Sequence, residues 1–195
     1  MKIVPVAHGL EDIIGVSTGY RSPGLHMSQI YGDLYQDLEP KRYKRGVPMD
    51  MLRVEAGLAL ETVLEKGLRD RWCAERPGEF VTDEGIAYTP DMIIFNGSIK
   101  LGEIKLTWMS SKDVPREPAN NFPPKFNKYV TQMAAYCYHL DLNEARLLTY
   151  FVNGTGPGPE MLAWNIEFTK RELEENWRMQ LNHARSKPYL RERLK

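Results

Sequence analysis

Asp91, Glu103 and Lys105 are the residues whose types and spacing could do chemistry in this chain. Pro90-Asp91 is followed, after eleven residues, by Glu103-Ile104-Lys105. In an extended strand, residues i and i+2 share a face. Glu103 and Lys105 therefore project together, while Ile104 points with Leu106 into the opposite, apolar side. Asn96-Gly97 reads as a two-residue hairpin turn that folds the Asp91 strand back alongside, so that Asp91 and Glu103 meet across the hairpin. Two converging carboxylates make an oxygen-rich site suited to Mg2+ or Mn2+. A lysine beside them can hydrogen-bond an attacking water or a phosphate and offset charge that builds in the transition state. This is the equipment of metal-assisted phosphodiester hydrolysis. The competing reading is a solvent-facing Glu–Lys pair on a strand, worth little energetically.

Two further pairs bear on the choice. Gly57 and Glu61 lie four apart on a helix that precedes the hairpin, so they share a face. A glycine there lets the helix approach the sheet, and Glu61 can reach the metal site as a third carboxylate; otherwise it is an exposed helix glutamate like Glu55 and Glu65. Gln132 and Tyr136 also lie four apart, on an otherwise apolar helix. They either face the site, with Gln132 holding the lysine or a phosphate, or form a half-buried pair in the core.

The elements that must position these residues follow from the hydrophobic pattern. A short helix fits 26–38 and a longer one about 49–70, with Leu60, Val63, Leu64 and Leu68 at helical spacing. Residues 86–95 and 98–106 read as the two strands of the hairpin. The proline-bearing loop 109–124 is long for a compact domain, as functional loops often are. A helix fits 125–140, strands fit 145–152 and 161–168, and Thr169 with Glu172 forms a capping box for a last helix faced by Leu173, Trp177 and Leu181. The order predicts a single α/β (α+β) domain over 1–195, a mixed central β-sheet flanked by helices. An irregular arm about 1–25 and a basic tail about 187–195 lie at its ends.

Composition narrows the class. No stretch is long and apolar enough to span a membrane. Glu11 and Asp12 interrupt the segment where a signal peptide would be apolar, so the expected place is the cytoplasm of a bacterial or phage-infected cell. Cys73 and Cys137 are too few for a zinc site or an iron–sulfur cluster, and both are expected to be reduced. The formal charge is zero, which counts against a uniformly basic surface. The cations do cluster, however, at Lys41, Arg42, Lys44 and Arg45 and again at Lys187, Arg191, Arg193 and Lys195; each cluster also reads as solvated surface.

Taken in order, Gly57 with Glu61, Pro90-Asp91, Glu103-Ile104-Lys105 and Gln132 with Tyr136 resemble the PD-(D/E)XK nuclease superfamily, over about 57–136. Within it they are similar to the branch of RecB-type nuclease domains, lambda-type phage exonucleases and the CRISPR-adaptation nucleases. The resemblance implies a restriction-endonuclease-like core and one or two Mg2+ or Mn2+ ions. It implies that Asp91, Glu103 and the Ile104 carbonyl bind metal, that Glu61 completes the site, that Lys105 positions the water, and that Gln132 and Tyr136 complete the signature. Many RecB-type relatives carry histidine at the place of Glu61, so the glutamate sits closer to the phage pattern. The cysteine count argues against the CRISPR-adaptation subgroup, which uses a cluster of four.

Arg21 to Ser28 is similar to the stretch that lies near the terminal 5′-phosphate in phage-type exonucleases. Arg21 suits phosphate and Ser28 could bind it from a helix N-terminus, or the segment is a turn with a capping serine. His26 reads as structural, Glu84 as a spare carboxylate, and Trp108 as a base-stacking or a core residue. The function implied is an exonuclease acting on double-stranded DNA ends in recombination or repair. A homo-oligomer and a recombination partner protein are compatible with it. The alternatives are an endonuclease of the same core, or a non-catalytic DNA-binding protein.

Overall fold

The computed structural model describes residues 23–46, 51–114 and 122–195. In chain order these form β1 (Leu25–His26), α1 (Met27–Leu38), α2 (Met51–Trp72), β2 (Ala74–Glu75), β3 (Phe80–Val81), β4 (Ile86–Tyr88), β5 (Met92–Ile94), β6 (Lys100–Ser110), α3 (Pro124–His139), β7 (Glu144–Asn153), β8 (Glu160–Glu167), α4 (Lys170–Ser186) and α5 (Pro188–Arg191). The strands make one sheet in the order β1-β4-β3 and a larger one in the order β2-β5-β6-β7-β8. β6 and β7 run parallel, joined by α3; the other neighbours in the larger sheet are antiparallel. The predicted mixed α/β sheet with flanking helices is therefore the observed fold.

The helices form for local reasons and dock by their apolar stripes. α1 buries Met27, Ile30, Tyr31, Leu34 and Tyr35, the spacing of one helical face. α3 starts with Pro124 in its first turn, where a missing N–H costs nothing. The Thr169–Glu172 capping box opens α4, and Leu173, Trp177, Gln180 and Ala184 form its buried side. These three helices share one core with Leu101, Leu147 and Phe151 of the sheet. α2 covers the other face, where Leu60, Leu64, Leu68 and Trp72 pack on Met92, Ile94, Ile104 and Leu148. Val63, predicted for that stripe, is instead 73% exposed, because it is turned about 100° away from Leu64 and flanks the Leu60–Trp72 row. The basic tail is docked rather than loose: Leu190 is buried, Lys187 pairs with Asp37 at 2.6 Å, and the Lys195 amide donates to the Glu84 carbonyl.

Two expectations about the hairpin are corrected. Residues 86–95 are two strands, β4 and β5, belonging to different sheets. Pro90 has no N–H to give a ladder and fixes its own φ, so the chain breaks there and changes sheet. The connection is also longer than two residues. Ile94 pairs with Lys100, leaving Phe95 to Ile99 as the loop, with Gly97 at φ 85°. The difference decides the site. A two-residue turn at Asn96-Gly97 would pair Phe95 with Ser98 and set Asp91 opposite Gly102, on the wrong face. In the observed register Met92 faces Gly102, so Asp91 falls opposite Glu103.

Gly102 makes this register fit. A Cβ there would lie 2.2 Å from Cγ of Met92 and 3.1 Å from Cδ1 of Ile94. The bare backbone lets β5 lie close across β6 between the two acidic residues. Gly102→Val is expected to destabilise the fold by about 1–3 kcal/mol, the usual cost of overpacking. Thermal unfolding checks this, and an unchanged melting temperature would contradict it.

Candidate metal and phosphate site

Glu103 lies on β6, flanked by β5 on one side and β7 on the other, and is fully buried. Its Oε1 accepts a hydrogen bond from Gln132 Nε2 at 2.5 Å and another, short one, from Lys105 Nζ. Gln132 Nε2 also lies 3.3 Å from the Tyr136 hydroxyl. The α3 face carrying Gln132 and Tyr136 thus meets the β6 face carrying Glu103 and Lys105, and both side chains are buried, Tyr136 within the main core. The second oxygen, Oε2, is buried and has no hydrogen-bond partner among the described residues.

Asp91 occupies the corner where the chain changes sheet. β5 begins only at Met92, so the next backbone donor of β6 has no strand partner. The Asp91 Oδ2 takes its place, accepting from the Ile104 N–H at 2.8 Å. The side chain therefore extends the ladder by one residue and fixes its carboxylate beside Glu103. The Ile104 side chain points to the opposite core, as predicted.

Glu61 reaches this neighbourhood from α2. Its carboxylate acts electrostatically on Glu103 and is itself acted on by Asp91 and Lys105. It is also held by Arg76, at 3.2 Å. The expected role of Gly57 is not observed: a Cβ there would meet nothing within 4 Å, because α2 touches the sheet through Leu60 and the residues after it. Among the described residues the group whose ligand atoms converge within 4.8 Å is a different one, Asp33, Asp37 and His183. Those carboxylates are already held by Arg45, Lys187 and Tyr189.

The charges are strongly coupled. Burial, then the nearby Asp91 carboxylate, pushes Glu103 up to about 8, with Lys105 working the other way. Burial and Asp91 also raise Glu61, to about 7. Burial opposes the charge on Lys105, but Glu103 and Asp91 outweigh it and hold the ammonium well above its usual range. Lys105 is therefore a cation and a donor at neutral pH, not a base. Burial likewise keeps Tyr136 a neutral phenol.

These features fit a hard divalent cation. The centre offers oxygen donors, excess acidity and a buried carboxylate oxygen aimed at no protein group. Asp91 and Glu103 are the residues that would hold it, with Glu61 at the margin.

Other candidates fall elsewhere. Ser28 is half-buried in the first turn of α1, and Arg21 lies outside the described residues. His26 is buried, with its Nδ1 3.9 Å from a Glu79 carboxylate oxygen. Glu84 sits in the β3–β4 turn facing His139. Trp108 is 37% exposed under the Arg53 guanidinium, 5.2 Å from the ring centre. Sequence reading missed Tyr129, whose ring lies 5.7 Å from Lys105 Nζ, and Lys128 and Lys125 beyond it. The signal was present: Lys128, Gln132 and Tyr136 repeat every four residues.

No protein-family model matches the chain, and no curated protein matches it. Solved structures do. The protein SSO0001 is similar at 12% identity and TM-score 0.53, over 92% of this chain and 88% of that one. A phage-related exonuclease from Haemophilus somnus 129PT is similar at 13% identity and TM-score 0.50, over 82% of this chain and 79% of that one. At these identities the likeness is one of fold, and the chain has the fold of that exonuclease.

The upward shift of the Glu103 pKa has a sign that can be checked. A carboxyl raised in the folded state stabilises the fold at acid pH, and that contribution is lost as pH climbs from about 4.5 through about 8. In a chelating buffer, the melting temperature of the wild type is expected to fall across this window, and that of Glu103→Gln to fall less. Parallel profiles would contradict the assignment.

Proposed function

We propose that the chain is a Mg2+- or Mn2+-dependent deoxyribonuclease that hydrolyses phosphodiester bonds at DNA ends. The observation that carries the reading is the buried Glu103 carboxylate, bonded through one oxygen to Lys105 and Gln132 and bare at the other, with Asp91 beside it. The shared fold with a phage-related exonuclease supports the choice of DNA ends. A divalent cation held there supplies Lewis-acid polarisation of a phosphoryl oxygen and neutralises charge.

The protein groups have separable tasks in this reading. Asp91 and Glu103, with the Ile104 carbonyl, present the oxygen donors. Lys105, cationic and fixed by Glu103 and the Tyr129 ring, orients the attacking water or the scissile phosphate and offsets its charge. Gln132 holds Glu103 in one rotamer, and Tyr136 receives the other hydrogen of that amide. Glu61, kept near neutral acidity by burial and Asp91, adds a third carboxylate at the margin.

The test is degradation of end-labelled linear duplex and of closed circular duplex with Mg2+ or Mn2+. The wild type is expected to release label from linear DNA and to spare the closed circle. Lys105→Ala is expected to lose roughly 100-fold or more, the cost of removing one preorganised donor at a charged transition state. Cleavage of the closed circle would replace the exonuclease by an endonuclease of the same core. A wild type inert on both forms with both metals would sink the nuclease reading.

A further inference from the structure

The α3 row that carries Gln132 and Tyr136 begins one turn earlier, at Lys128. One helical turn separates neighbouring side chains on such a row by roughly 5–6 Å. Lys128 is half-buried, and its ammonium lies 5.5 Å from the Tyr31 ring centre and 5.1 Å from that of Tyr43. Two aromatic faces hold it in place. Among the described residues no carboxylate pairs with it. It forms one wall of a cavity of about 400 Å³, lined by Gly32, Gln36, Arg42, Tyr43, Lys44 and Lys128. The lining holds three cations and no carboxylate, although Arg42 is engaged by Glu39 at its rim.

The lysines of this α3 row carry their charge at a cost. Burial and the nearby Lys105 both weigh against the charge of Lys128. Lys125, one turn nearer the start of α3, is disfavoured in the same way by burial and by Arg53 and Arg42. Its ammonium donates to Thr107 Oγ1 at 2.7 Å. Lys125 and Lys128, neighboured by Arg42, Arg53 and Lys105 and without acidic partners among the described residues, are the complement of a polyanion.

We infer that the Lys128 pocket binds a phosphate group of the nucleic-acid strand, adjacent to the phosphate at the Glu103 centre, an inference that rests on the proposed nuclease reading. Its ligand is either an internal phosphodiester or a terminal phosphomonoester. The aromatic walls and the two lysines position the strand so that one phosphate is held while its neighbour reaches Lys105.

The experiment is binding of short fluorescein-labelled single strands to the full chain in chelating buffer, by anisotropy across a salt series. One strand carries a 5′-phosphate and one a 5′-hydroxyl. Lys128→Gln is expected to weaken binding at low salt and to reduce the slope of log K against log salt by about 0.7, one phosphate on a single strand. Lys128→Arg is expected to restore the slope, and Lys170→Gln on α4 to leave it unchanged. A loss confined to the phosphorylated strand assigns the pocket to an end; an equal loss on both assigns it to an internal phosphate. An unchanged slope for Lys128→Gln on both strands, with an unchanged melting temperature, overturns the inference. Cleavage with Mg2+ judges the nuclease reading separately: the slope can fail while cleavage persists, or hold while cleavage is absent.

Discussion

A carboxylate without solvent in the middle of a five-stranded sheet is costly unless its surroundings are built for it, and Glu103 is such a group. Lys105 and Gln132 satisfy one oxygen; the other is left without a protein partner. Neither donor would arrive there by chance. Lys105 is on the same strand face because side chains alternate. Gln132 arrives because α3, the crossover between parallel β6 and β7, lies across that face. Asp91 is set beside them by a strand that stops early. Each of these choices is a consequence of keeping a carboxyl, an ammonium and an amide together in a dry place.

The rest of the molecule serves as a frame for that arrangement. α2 seals the far side of the sheet, so that Ile104 can be buried between two residues that face the centre. A second charged group, remote from Glu103 in role, ties the helices. Burial pushes the Asp33 carboxyl up, but hydrogen bonds from Arg45, Tyr189 and His183 win and hold it at about 2. These bonds fasten the turn after α1 to α4 and to the docked end of the chain. That turn carries Arg42, Tyr43 and Lys44, the outer wall of the cationic pocket. The converging carboxylates of Asp33 and Asp37 are engaged by Arg45, Lys187 and Tyr189, which makes the group a fastening between these helices.

Much of this was legible in the sequence. The period of two gave the shared face of Glu103 and Lys105, and the period of 3.6 gave Gln132 with Tyr136. The capping box at Thr169 marked the start of α4 correctly. What was not legible depended on counting residues in a loop. A two-residue turn and the observed five-residue connection look alike as strings containing Asn-Gly, yet they put Asp91 on opposite faces. Nor could the pattern say that Pro90 divides two sheets rather than interrupting one. The packing of α2 was read from Leu60 and Leu64, but the apolar Val63 beside them is exposed, since a residue's type does not tell which side of a helix is covered. Lys128 was passed over because a lysine on a helix is most often solvated; only the surrounding rings and the lack of a carboxylate partner among the described residues distinguish it.

The most direct test of the account is Mn2+ binding to the full chain, followed by electron paramagnetic resonance, for wild type, Glu103→Gln and Asp33→Asn. The account expects one site or two in the wild type. It expects binding in Glu103→Gln to weaken by more than the ~10–100-fold that loss of a group merely supporting a ligand costs, and Asp33→Asn to bind as the wild type does. Equal binding by wild type and Glu103→Gln, or loss of the ion in Asp33→Asn alone, would place the metal away from the Glu103 centre and contradict the account.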